Sequence, residues 1–273
     1  MADSKRYISK TEFETHKKPD DLWISIQGKI YNVTQWSHHH PGGPLPLLNL
    51  AGQDATDAFI AYHPGIAWQY LDKFFTGYYL EGYLVSDISE DYRKLAVEFS
   101  KMGLFDKKGH GTWNCLAGIS MGWWKWTHNA HHIACNSLDF DPDLQHMPFF
   151  TFCLNHFSSS VYVGPPNGND WFEKQTDGTL NILCSSWMDW FYGGLQFQVE
   201  HHLFPRLPRC HLRTISPFVK ELCKKHNLAY NCASFWKANA MTIETLKSAA
   251  LQARVLTNAV PKNLVWEAVN THG

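Results

Sequence analysis

Two short stretches, "HNAHH" (His128–His132) and "QVEHH" (Gln198–His202), put side chains able to hold a metal at positions i, i+3 and i+4. On an α-helix these positions share one face. Each stretch therefore offers a row of such groups, and the chain must bring two helices face to face to use both rows. No other feature of the sequence constrains the fold as strongly. A further histidine, His156, lies between them in "LNHF". Neutral imidazoles drawn from separate segments suit iron, zinc or copper rather than calcium or magnesium. A lone histidine on a helix is ordinarily a satisfied polar residue, a reading that does not explain two clusters with matched spacing. A zinc hydrolase fits less well, because HExxH is absent and Glu200, one residue before His201, points off the ring-bearing face.

The totals exclude several classes. In 273 residues, 24 basic and 25 acidic side chains nearly cancel, so no global field calls for nucleic acid. Sixteen histidines suggest metal or haem, and twelve tryptophans an interfacial or ligand-lining surface, although ordinary core is as good a reading for any one tryptophan. The seven cysteines are odd in number, form no CxxC and begin only at Cys115, so a reducing compartment is expected rather than a disulfide framework. The polar N-terminus has no apolar run of the secretory kind. A membrane-spanning helix needs about 20 mostly apolar residues. "WNCLAGISMGWW" and "MPFFTFCL" are both too short, so no spanning segment is expected.

The first hundred residues read as one compact unit. "LWISIQGKIYNVTQW" alternates apolar positions around Gly28, which predicts a hairpin. His40 precedes Pro41-Gly42-Gly43, and His63 follows a stretch of helical character. Glycines after a histidine let the backbone turn tightly against a flat ligand. Two imidazoles on facing rigid elements are what a six-coordinate haem iron needs, with Leu47, Leu50, Phe59, Tyr62, Leu71 and Phe74 as candidate lining. From about Lys5 to Val85 this region resembles the cytochrome b5 haem-binding domain. The resemblance implies haem b, with His40 and His63 as axial ligands, His38 and His39 facing solvent, and a role in electron transfer.

"WWKWTHNAHHIACNSLDFDPDLQ", "LNHFSSSVYVG", "WFEKQTDGTLNI" and "GGLQFQVEHHLFPRLPR" resemble the membrane fatty-acyl desaturases. Gln198 heading the last box, together with the b5-like N-terminus, is similar to the front-end subgroup, above all plant sphingolipid long-chain-base Δ8 desaturases. The resemblance implies O2-dependent desaturation of a sphingoid base, ceramide or acyl lipid at a pair of non-haem irons. Cytochrome b5 reductase would supply electrons through the haem, on the cytosolic face of the endoplasmic reticulum membrane. Carried over residue by residue, the metal ligands are His128, His131, His132, His156, Gln198, His201 and His202, with no catalytic residue beyond them. Asp139, Asp141 and Asp143 are candidates to orient the ligating imidazoles, against the plainer reading of a solvated acidic turn.

The expected architecture is an α+β cytochrome b5-like domain (residues 1–90), a linker helix (91–112) and a mainly α-helical desaturase-like fragment (113–273). It departs from the family in two ways. The first histidine box, of the form HDxGH, is missing, since "FDKKGHG" runs straight into "TWNCLAGIS". So are the hydrophobic hairpins that carry the active site into the membrane. Loss of substrate positioning, which contributes about 7–11 kcal/mol, predicts a poor desaturase or none. The alternatives are a haem-binding electron carrier with a non-catalytic desaturase remnant, and a hydroxylase with the same ligands. "GWWKW" and "FFTFCL" fit a membrane surface or helix ends left exposed.

Overall fold

The computed structural model describes residues 5–106, 130–135, 137 and 171–257. Alternation in "LWISIQGKIYN" produces the expected hairpin, β3 (Asp21–Ile26) against β4 (Lys29–Asn32), with Ile24 opposite Tyr31. Its two-residue turn places Gln27 at φ 52° and Gly28 at φ 74°, the left-handed pair that matches the twist of a tight hairpin. A Cβ on Gly28 would also lie 2.7 Å from Tyr83 Cβ, so glycine is required there on two counts. β2 (Lys17–Lys18) extends the hairpin on one side, and β5 (Phe75–Tyr79) pairs antiparallel with β4 on the other. β1 (Tyr7–Ile8) closes the sheet in parallel with β5, giving the order β1-β5-β4-β3-β2.

Both faces of this sheet are covered. Leu22, Ile24 and Ile26 enter the main core, while Trp23 and Ile30 join Ile8 and Phe13 in a smaller cluster on the reverse face. On the core side the chain makes a short helical turn at Leu45–Asn49 and then helix α1 (Thr56–Tyr62).

Helix α2 (Asp87–Lys101) starts with the Ser86 hydroxyl accepting from the Ser89 amide, an N-cap. The sequence suggested a charged linker here, yet the helix is packed. Tyr92 and Phe99 are 1% and 0% exposed, each burial contributing about 1.5–3 kcal/mol. The Ser89 hydroxyl and the Arg93 guanidinium both donate to Asp57 of α1. From its other side α2 presents Asp91 to Lys225 and His226.

The remaining elements are α3 (Trp171–Asp177), β6 (Asn181–Leu183), α4 (Gln198–Leu203), α5 (Leu212–Lys225), β7 (Cys232–Ser234) and α6 (Phe235–Thr257). β6 and β7 pair in parallel. The run "TIETLKSAALQARVL", rich in good helix formers, lies within α6. Trp171, Phe172, Val199, Leu203, Phe204, Ile215 and Val219 join Tyr92, Phe99, Ala58 and Leu71 in one continuous core, so the two halves share their apolar interior. Among the described residues, no helix is long and apolar enough to cross a membrane.

Candidate haem slot and histidine cluster

His40 follows a 3-10 turn at Ser37–His39 and enters Pro41-Gly42-Gly43, where Gly43 adopts φ 79°. That left-handed residue folds the loop back. The Gly43 amide donates to the His40 carbonyl at 2.8 Å, and His40 Nδ1–H donates to the Gly43 carbonyl at 2.8 Å. His63 caps α1, and its Nδ1–H donates to the Phe59 carbonyl at 3.2 Å while its ring stacks on Phe59 with centroids 4.3 Å apart. With both Nδ1 atoms acting as donors, both Nε2 atoms carry lone pairs, and these face each other at 3.5 Å.

Two facing lone pairs repel, and a cation between them satisfies both. Metal–imidazole bonds of about 2.0–2.1 Å require roughly 4 Å between the nitrogens, so a small opening of the slot admits an iron. Burial lowers the His40 pKa, and burial together with His40 itself pushes His63 down to about 4, which keeps both rings neutral and able to ligate. Trp36 packs on His40 and Phe74, and Leu50 and Leu71 are buried nearby in the core. His38 and His39 are exposed, as the sequence suggested.

The second constellation joins the two histidine motifs. His131 and His132 lie on helical residues 130–133, and α4 carries Gln198, His201 and His202. Nε2 of His131 is 3.3 Å from Nε2 of His202, and Nε2 of His132 is 3.2 Å from Nε2 of His201. Adjacent ligands of one tetrahedral metal at bonds of about 2.0–2.1 Å stand roughly 3.3 Å apart, which is the spacing of both pairs. His128 and His156 lie outside the described residues, as do Asp139, Asp141 and Asp143.

Three further residues shape this cluster without having been singled out as parts of it. Gln175 Oε1 accepts from His202 Nδ1–H at 2.9 Å, and Gln175 Nε2 donates to the His132 carbonyl at 2.7 Å. One amide thereby fixes the tautomer of His202 and ties α3 to both motifs. Its only sequence signal is its place in "WFEKQTDG"; no spacing marks it. Cys135 is buried, with Sγ, His131 and His202 offering ligand atoms all within 4.8 Å of one another. Glu200 turns away from the rings, accepting from Asn181 Nδ2 at 2.8 Å and from the Tyr230 hydroxyl at 2.5 Å. Burial raises its pKa while these two donors oppose the shift. Gln198 is buried, and its Oε1 has no hydrogen-bond partner.

The residues therefore fit both implied groups, a haem between His40 and His63 and a histidine-bound metal at the second constellation. Comparison with known proteins places both halves of the chain in known families. Residues 9–80 match the cytochrome b5-like heme/steroid binding domain family, and residues 147–234 match the fatty acid desaturase family. The Delta(8)-fatty-acid desaturase of Helianthus annuus is 43% identical over 447 aligned positions, covering 100% of this chain and 98% of that protein. The Delta(8)-fatty-acid desaturase 2 of Arabidopsis thaliana is also 43% identical, covering 100% of both. The acyl-lipid (9-3)-desaturase of Borago officinalis is 42% identical over 446 positions, again covering 100% of both. An alignment of 447 positions against a chain of 273 residues means that these relatives carry internal segments absent here. The relatives are desaturases, enzymes of the oxidoreductase class, and the chain belongs to the fatty acid desaturase family with a fused N-terminal cytochrome b5 domain.

Proposed function

We propose that the chain is organised for O2-dependent desaturation of a long lipid chain, a sphingoid base or an acyl lipid, at a di-iron centre held by the histidine motifs. The observation that carries this reading is the pairing of His131 with His202 and of His132 with His201, each at the spacing of two ligands on one metal. Bound iron supplies the activation of O2 that removes hydrogen from two adjacent carbons. The chain's own residues hold and orient. Gln175 accepts from His202 Nδ1–H and so leaves the lone pair on Nε2, Gln198 offers an amide oxygen, and Glu200 anchors α4 from behind through Asn181 and Tyr230. His40 and His63 would hold haem b between their facing Nε2 atoms, and the group would supply one-electron relay. A flavin reductase of the cytochrome b5 reductase class is the donor, and the site of action is the cytosolic face of the endoplasmic reticulum membrane.

A second reading, a haem-binding electron carrier with a non-catalytic remnant, is favoured by the missing internal segments and by the absence of the first histidine box. The deciding experiment expresses the chain in a desaturase-null yeast and profiles long-chain bases and acyl lipids, with haem spectrum and iron content measured on the purified protein. A new double bond with about two non-haem irons per chain supports desaturation, and an alcohol product indicates hydroxylation. Haem without iron or product establishes the carrier.

A further inference from the structure

The C-terminal end of α1 is gripped from two directions. Tyr62 and His63 are consecutive and point to opposite sides, so Tyr62, expected from the sequence to line the haem slot, faces the histidine cluster instead. His63 faces Phe59 and His40, while the Tyr62 ring meets the His132 ring edge-on, with centroids 5.9 Å apart and planes at 70°. From the other motif, Arg206 lies four residues after His202 and donates from Nη1 to the His63 carbonyl at 2.9 Å. Its guanidinium also lies over the Phe105 ring at 4.9 Å, which fixes the side chain between the two halves. One residue of the b5-like unit thus reaches the HxxHH motif, and one residue beyond QxxHH reaches back to the axial histidine.

We propose that Tyr62 and Arg206 are positioning residues that clamp the haem-ligand end of α1 onto the two histidine motifs and so set a short, fixed route for an electron from haem to the metal cluster. The inference rests on the functional reading above. In the step they serve, one electron leaves ferrous haem, which becomes ferric, and reduces one ferric ion at the histidine cluster to ferrous. No bond is made or broken, and an external flavin donor re-reduces the haem. Tyr62 acts by ring contact and is not itself oxidised. Arg206 adds a positive charge beside His63, which favours the less positive, reduced haem and raises its midpoint potential.

The test uses the full chain and two independent readouts. In protein with neither haem nor iron added, amide hydrogen exchange is followed over residues 59–63 and 199–206. Tyr62→Leu combined with Arg206→Ala is expected to speed exchange there by about tenfold or more, while Tyr62→Phe and Arg206→Lys stay close to the parent. In protein loaded with haem and ferric iron, flash reduction of the haem under anaerobic conditions gives the rate at which the ferrous absorption decays. Tyr62→Leu is expected to slow that decay by about tenfold with haem spectrum and iron content unchanged. Tyr62→Phe should retain the rate, and Arg206→Ala should lower the haem potential. Unchanged exchange in the double variant overturns the clamp, and unchanged decay in Tyr62→Leu overturns the route. If the parent chain takes up no haem, the functional reading fails while the exchange experiment still decides the clamp.

Discussion

The Tyr92 hydroxyl donates to the Leu203 carbonyl at 2.8 Å, joining residues 111 positions apart in a fully buried contact. Leu203 ends α4, where helix geometry leaves carbonyls without partners. Tyr92 supplies one from α2. Tyr92→Phe leaves that carbonyl buried and unpaired, at a cost of about 1–2 kcal/mol. The change reads as a lower urea midpoint with an unaltered slope. A midpoint equal to that of the parent would contradict the assignment.

Asn181 serves two masters at the back of the histidine cluster, donating to Glu200 Oε2 and accepting from the Val199 amide at 3.0 Å. Asn181→Ala removes a donor from a buried carboxyl and orphans an amide at the start of α4. It is expected to destabilise by about 2–4 kcal/mol and to lower metal uptake. Tyr230→Phe removes the other donor but spares the Val199 amide, so its thermal shift should be the smaller of the two. Equal stability of Asn181→Ala and parent in thermal denaturation argues against the network.

Haem binding separates the four histidines of the first constellation. His40→Ala or His63→Ala should abolish the bis-histidine absorption spectrum, since each ring presents its Nε2 to the other. His38→Ala and His39→Ala, on exposed positions, should leave it intact. Titration of haem into each variant, followed by visible spectroscopy, makes the comparison.

The contact between α2 and α5 predicts an acid-sensitive step. Lys225 and His226 hold the Asp91 carboxyl down at about 2, below its usual 3.8. A depressed acid contributes stability above its unfolded pKa and loses it as the pH falls through the folded one. The contribution of Asp91 is therefore complete above about pH 4 and disappears toward pH 2. Thermal midpoints measured across that window should fall more steeply for the parent than for Asp91→Asn. Parallel curves would remove the ion pair from the account.

Much of this was legible in the sequence because the relevant signals are local. Alternation around Gly28 gives the β3–β4 hairpin, and HPGG with a second histidine gives the pair of rings that meet at His40 and His63. Matched i, i+3, i+4 spacing puts His131, His132, His201 and His202 on two facing helical rows. What remained hidden is carried by contacts with no periodicity. Gln175 is one polar residue in a seven-residue helix, and only the fold places it between His202 and the His132 backbone. The cluster that Trp23 and Ile30 form with Ile8 and Phe13 on the reverse face is hidden too, because it joins segments that no local pattern links. Likewise α2 reads as a linker helix until its two buried aromatics, Tyr92 and Phe99, are seen to pack on the same Phe204 ring of the C-terminal half.

The parallel pairing of β1 with β5 bears on how the protein is made. Tyr7 finds its partner only in Tyr78, and Ile8 in Tyr79, so the earliest strand to leave the ribosome waits for the latest strand of its sheet. Closing so long a loop is slow relative to forming the β3–β4 hairpin. During synthesis the hairpin and the His40 turn therefore exist before the sheet has its outer strand, and His63 is made 15 residues ahead of Tyr78, the partner that β1 awaits.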